Sequence, residues 1–287
     1  MRVARLLPMK ALEVAAPAKV NLFLHVTGRR ADGYHTLESL FALVDLADTV
    51  MLTLRDDGTI QRVGDVDGVP RDEDLALRAA RALKEATGAT QGVTITLTKR
   101  IPMGAGLGGG SSDAASVLLG LNRLWNLSLT RARLQAIGQT LGADVPFFVG
   151  GENAIARGIG ERLTPVSLPA RWLALVFPRA HVRTVDIFAA PELTRSTPSA
   201  KMDVFSESYG RNDLAGVAAA RFPEVAEALI ALTRAAPQAR MTGSGSCVFA
   251  ECRTECEARR VLASLPPDSQ GQVARTLARH PLAEFAR

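Results

Sequence analysis

Apolar and polar positions alternate along residues 19–26. Val20, Leu22, Leu24 and Val26 take one parity, and Lys19, Asn21, Phe23 and His25 the other. A period of two is that of a strand, and it places Lys19 and Asn21 on one face, roughly 6–7 Å apart. Residues 93–99 repeat the pattern with threonines between apolar positions. Shorter runs at 37–44, 49–55, 154–156, 162–166 and 172–177 also read as strands. The spacing changes after residue 110: Val117, Leu121, Leu124 and Trp125 fall at i, i+4, i+7 and i+8, which is a helix. Further helices are predicted over 72–87, 131–141, 222–234 and 254–263. Residues 29–35 form a turn, 142–148 a turn into an extended segment, and 242–245 a turn with strands on either side. Residues 56–71 read as a polar loop. Residues 191–210, rich in Ser, Thr and Pro, read as a surface loop. The mixture predicts an α+β chain of two domains, with a boundary between residues 155 and 170.

Between the strand at 93–99 and the following helix lie five glycines within seven residues, Gly104 to Gly110. Strand, glycine loop and helix together form a cradle for phosphate. Glycines let backbone N–H groups approach the oxygens, and the helix N-terminus adds unpaired donors and partial positive charge. Ser111 and Ser112 suit the N-cap and can offer hydroxyls to the same anion. Gly104-x-Gly106-x-x-Gly109 formally fits a dinucleotide loop. That loop needs an acidic residue about 20 positions on for the ribose, and none occurs between Asp113 and Asp144. The Gly-Lys-Ser/Thr of a P-loop and the H-R-D and D-F-G of protein kinases are absent as well.

Composition adds limits. The chain has 287 residues, 47% of them hydrophobic and 22% charged, with a net charge of +5. The positive balance fits a small anionic substrate. Lys and Arg are scattered, without a basic run or interleaved aromatics, so nucleic acid is not expected as a partner. No apolar run reaches the roughly 18–20 residues of a membrane span. The basic residues 1–10 lack the apolar stretch of a signal peptide and read as a short leader. Cys247, Cys252 and Cys256 match no zinc spacing; three cysteines without an export signal suggest reduced thiols and a cytoplasmic location.

Three blocks then carry a family resemblance. Pro102-Met103-Gly104-Ala105-Gly106-Leu107-Gly108-Gly109-Gly110-Ser111-Ser112 resembles the ATP-binding signature of the GHMP kinases. Ala16-Pro17-Ala18-Lys19-Val20-Asn21-Leu22 is similar to the family's first motif, and residues 241–250 to its third. The resemblance implies an N-terminal domain over 1–165 with the fold of ribosomal protein S5 domain 2. It implies a ferredoxin-like domain over 166–287. It also implies ATP and Mg²⁺ as cofactors and phosphoryl transfer to an alcohol. Asp144 would take the hydroxyl proton, and Lys19 would hold Asp144 ionised and stabilise charge on the transferred group. The loop from Pro102 to Ser112 would hold the ATP phosphates, approached by Gly243, Ser244 and Gly245 from the second domain. Residues 30–37 and 142–148 point within the family to an acceptor linked to cytidine diphosphate. Its base would lie on Tyr34 and Phe188, with His35 at the polar edge and Asn21 near the hydroxyls. Another family member, acting on homoserine or a mevalonate, is the alternative; an NAD-dependent oxidoreductase and an RNA-binding protein are weaker ones. Asp113 either caps its helix facing away from phosphate or acts through Mg²⁺, and the metal ligands stay unassigned.

Overall fold

The computed structural model describes residues 10–64, 68–199 and 210–286. Residues 1–9 of the expected leader and residues 200–209 of the surface loop expected over 191–210 therefore lie outside the described residues.

A long antiparallel hairpin, β1 (Ala11–Arg29) and β2 (His35–Arg55), forms the spine of the first unit. The two strands expected at 37–44 and 49–55 are one. Ala47 pairs with Pro17 and Val44 with Ala18, so Asp45 and Leu46 bulge out between them. The ladder bends there and continues. Leu46 fills the interior, and the Asp45 carboxylate accepts the Arg275 N–H at 2.7 Å.

A second irregularity lies between Asn21 and Phe23 on β1, where Leu22 is the extra residue. It breaks the single alternation expected across 19–26. Val20, Leu22 and Phe23 all enter one apolar cluster, whereas Leu24 and Val26 enter another. An inserted residue moves every later side chain to the opposite face.

β3 (Ile60–Val63), inside the expected polar loop, pairs in parallel with β4 (Gly92–Thr98). β4 and then β5 (Ala154–Gly158) flank successive halves of β2, and β6 (Arg162–Pro165) closes the sheet. One face is covered by α1 (Leu75–Thr87), α2 (Gly109–Leu124), α3 (Arg131–Gln139) and α4 (Val145–Gly150). α4 corrects the extended segment expected near 142–148. Pro146 lies in its first turn, where the missing N–H costs nothing, and the unbroken apolar run gives no period by which to tell strand from helix.

The second sheet has the order β10-β7-β9-β8, antiparallel throughout. Its strands are β7 (Trp172–Val176), β8 (Arg240–Met241), β9 (Val248–Cys252) and β10 (Gly271–Arg275). Helices α5 (Thr184–Ala189), α6 (Ala215–Arg221) and α7 (Pro223–Ala235) separate β7 from β8, and α8 (Glu255–Ala263) separates β9 from β10. Counted as layers this is β-α-β-β-α-β in ferredoxin-like order. No periodicity along the chain announced α5, α6 or β10.

Phe23 and Leu40 of the first unit pack with Leu173, Leu175 and Phe249 of the second in one cluster. After β10 the chain returns to the first unit. Leu277 N–H reaches Leu43 C=O at 2.8 Å, His280 N–H reaches Gly151 C=O at 2.8 Å, and Leu282 and Ala286 complete the first core.

Candidate active site

A cavity of about 920 Å³ lies between the two units. Residues 101–111 line one side, and Lys19, Asp144, Tyr34, His35, Phe188 and Gly243–Gly245 also face it. Gly104, Gly106 and Gly108 have φ of 66°, 73° and 72°, in the left-handed region. Gly108 is the N-cap of α2, so no side chain caps the helix. The first helical bond is Ser112 N–H to Gly108 C=O, so the N–H groups of Gly109, Gly110 and Ser111 precede it. Those groups and the helix dipole are the anion-binding element.

The serine cap expected from the sequence is therefore replaced by glycine. Ser111 faces the cavity, but Ser112 is buried and its hydroxyl donates to Pro17 C=O at 2.6 Å. That bond ties the start of α2 to β1 and removes Ser112 from any phosphate.

The turn at 242–245 docks on the loop backbone to backbone. Ser246 N–H donates to Gly104 C=O and Cys247 N–H to Ala105 C=O, each at 3.2 Å. A Cβ at Gly106 would sit 2.3 Å from Thr242 O, and one at Gly243 2.8 Å from Gly106 O. Asn212 holds the turn from behind, donating to Met241 C=O at 2.8 Å and Gly243 C=O at 2.7 Å. Ser244 Oγ bonds Thr184 Oγ1 at 2.8 Å, which joins the turn to the start of α5.

Lys19 and Asp144 meet, with Nζ 3.6 Å from Oδ2. Lys19 is buried, with its Nζ 5.0 Å from the centre of the Phe41 ring. Asp144 precedes α4 but makes no capping bond, so its carboxylate, about 30% exposed, stays available to the cavity. Asn21, expected at substrate hydroxyls, is engaged by the protein. Its Oδ1 accepts from Lys19 Nζ at 2.6 Å and from the Thr242 hydroxyl at 3.2 Å, and its Nδ2 donates to Ser39 Oγ at 2.8 Å. It holds Lys19 in place.

At the far side, the turn between β1 and β2 presents Tyr34 and His35. Gly33, at φ 90°, and the Asp32 carboxylate, which accepts the Tyr34 N–H at 3.2 Å, shape that turn. Tyr34 is 62% exposed. The Phe188 ring stacks on His35, with centroids 5.1 Å apart and an interplanar angle of 29°. Burial first, then Arg195 and Arg29, keep the His35 pKa below its usual value.

Under the start of α2, Lys99 Nζ pairs with Asp48 and, at 2.6 Å, with Asp113. Burial pushes the Asp113 pKa up to about 7, with Lys99 opposing and Asp48 reinforcing the rise. Asp113 is thus paired with Lys99 rather than capping its helix, and it is not among the residues that line the cavity. Among the described residues no group of three or more His, Cys, Asp or Glu gathers as a metal site. Cys247 and Cys252 are buried and Cys256 exposed, and burial raises the pKa of the Cys252 thiol to about 11.

Comparison with known proteins decides the family. Residues 74–152 match the model of the GHMP kinases N terminal domain, and residues 190–268 that of GHMP kinases C terminal. A 4-diphosphocytidyl-2-C-methyl-D-erythritol kinase of Cupriavidus necator is 55% identical over 284 residues, 97% of each chain. The chain belongs to the GHMP kinases. A relative of the same description from Thiobacillus denitrificans is 57% identical over 270 residues, 94% of this GHMP kinase and 97% of that protein. Among solved structures, a 4-(cytidine 5'-diphospho)-2C-methyl-D-erythritol kinase matches at 39% identity and a TM-score of 0.80, covering 92% of this chain and 99% of that one. A homoserine kinase of Cytophaga hutchinsonii shares the fold at 17% identity and a TM-score of 0.70, over 97% and 98% of the two chains.

As a GHMP kinase the chain is an ATP-dependent phosphotransferase. Sequence reasoning missed several residues of this GHMP kinase site: Ser39, Thr242 and Asn212, which hold other groups in place, Lys99 and Asp48, which gather at Asp113, and Arg195. Lys99 and Asp113 flank the glycine loop and carried a readable signal as opposite charges. Arg195 carried none, because the segment around it has no period.

Proposed function

We propose that this kinase transfers the γ-phosphate of ATP to a hydroxyl of 4-diphosphocytidyl-2-C-methyl-D-erythritol, a step of the non-mevalonate isoprenoid route. The observation that carries the reading is the Lys19–Asp144 pair, which shares one cavity with the glycine loop and with Tyr34, His35 and Phe188. Asp144 accepts the proton of the attacking hydroxyl as its oxygen bonds to the γ-phosphorus and the bond to ADP breaks. Lys19, held by Asn21, keeps that carboxylate oriented and offsets negative charge on the transferred group. The N–H groups of Gly109, Gly110 and Ser111 hold phosphate oxygens. Tyr34 and Phe188 offer faces for the cytosine.

Mg²⁺ fits as an ion that arrives with the nucleotide. The cavity offers it the Ser111 hydroxyl rather than a carboxylate cage, and Mg²⁺ binds mainly through phosphates and water in such sites. Bound, it would supply neutralisation of phosphate charge.

The test is ADP formation from ATP with the cytidine-linked alcohol, homoserine and mevalonate in parallel. The expected result is turnover on the cytidine-linked alcohol and far less on the others. Equal turnover on all three would remove the substrate assignment.

A further inference from the structure

Arg195 follows α5 in a segment without hydrophobic period, yet all five of its N–H donors are placed. Nη1 donates to Leu193 C=O at 3.0 Å and Pro191 C=O at 3.4 Å, and Nη2 to Ala190 C=O at 2.5 Å and Phe188 C=O at 3.2 Å. The remaining donor, Nε–H, reaches His35 Nε2 at 3.0 Å. A guanidinium has five donors and no acceptor, and it stays protonated in proteins. The nitrogen facing it must therefore offer a lone pair. A neutral imidazole carries one proton, so that proton is on Nδ1. His35 Nδ1 has no partner among the described residues, and His35 lines the cavity.

We propose that Arg195 sets the base specificity of the acceptor pocket by holding His35 as the neutral tautomer protonated on Nδ1, which selects cytosine over uracil. The proposal rests on the cytidine-linked reading above. Cytosine offers an acceptor at N3, whereas uracil carries a hydrogen there. A fixed donor pairs with the first and is left facing a donor by the second. A polar group left unpaired in a closed site is what makes such discrimination large. Arg195 is a positioning residue in this scheme: it acts through His35, and by binding the carbonyls at the end of α5 it also fixes the Phe188 ring against the imidazole.

Among the described residues, the charged groups on the elements around His35 have other partners. Arg29 of β1 opposes its protonation. In the turn Arg30 pairs with Asp32, and on α5 Asp186 pairs with Arg183. Glu192, next to Arg195 in the same segment, pairs with Arg221. On the neighbouring β5–β6 turn Glu161 accepts the Ile159 N–H.

The test is the ratio of CDP to UDP affinity, measured by calorimetry at pH 8 and pH 5.5 for the wild type, Arg195→Ala and His35→Gln. The wild type should prefer CDP at both pH values. Arg195→Ala should lose about tenfold of that preference at pH 8, where the ring can move its proton to Nε2. It should regain the preference at pH 5.5, where the imidazolium carries both protons. A purely structural arginine would weaken both nucleotides without that recovery. Preference retained by Arg195→Ala at pH 8, or lost and not regained at pH 5.5, overturns the proposal. Should Arg195→Ala fail to fold, His35→Gln decides: its amide can turn either way, so preference lost at both pH values supports the proposal and preference retained overturns it. A wild type with no preference for CDP would remove the cytidine reading, and this inference with it.

Discussion

Two carboxylates near the glycine loop differ by what faces them. Asp113, buried in the first turn of α2, shares Lys99 with Asp48, and its pKa is raised to about 7. Asp144 stands at the cavity with Lys19 as its partner and no capping bond. Only Asp144 can reach a substrate hydroxyl, so Asp144→Asn should lower kcat at least ~10²-fold. Its KM for ATP should change little, because the loop N–H groups that hold phosphate are untouched. Steady-state kinetics checks both, and near-normal kcat would end the base assignment. The pairing of Lys19 with Asp144 was legible only through the family motifs, since 125 positions separate them in the chain. Asn21, expected near substrate hydroxyls, lines the cavity with its amide engaged by Lys19, Ser39 and Thr242, the last two of which lie far from it in the chain and carry no local pattern.

At the scale of elements, periodicity was readable where a strand or helix has one solvated side. α1, α7 and α8 fall close to their expected spans for that reason. It failed where burial is complete or a ladder is irregular. α4 is buried along most of its length, and the bulge at Leu22 reverses a parity that sequence alone carries forward. The returning segment after β10 was invisible, because its stability comes from distant partners. His280 is one of its anchors: Nδ1 accepts the Leu282 N–H at 3.1 Å. Burial, then Arg131, lowers its pKa from 6.5 to about 4. Between those values the unfolded chain binds a proton that the folded chain refuses. Stability therefore falls as pH drops through this window, by about 3 kcal/mol in all. His280→Asn keeps an acceptor but does not titrate. Thermal melts from pH 7 to pH 4 should show a shallower acid loss for the variant, and an unchanged slope would rule out His280 as its source.

At the scale of the whole molecule, the nucleotide loop and the second unit are one construction. The loop's carbonyls at Gly104 and Ala105 accept N–H groups from Ser246 and Cys247, and Gly106 lies against Thr242 with no room for a methyl group. Gly106→Ala would place a Cβ 2.3 Å from a backbone oxygen at a φ of 73°, so the two loops must separate. We expect a folded protein with a lowered melting temperature and at least ~10-fold weaker ATP binding, since three ordered helix N–H groups would lose their support. Nucleotide titration followed by melting separates the effects; wild-type affinity would show that the contact between loops does not organise the phosphate site.

The crossing of residues 277–286 back onto the first unit ties the two units into one piece. Leu282 and Ala286 belong to the first core, and Arg131 and Asn122 bind carbonyls at Ala286 and Phe285. The first unit's interior is therefore discontinuous in sequence: it is built by residues 11–165 and closed by a segment that lies beyond the whole second sheet. The second unit borrows in the same way, taking Leu24 and Val26 of β1 into its own cluster, so neither unit could be cut from the chain with its core intact.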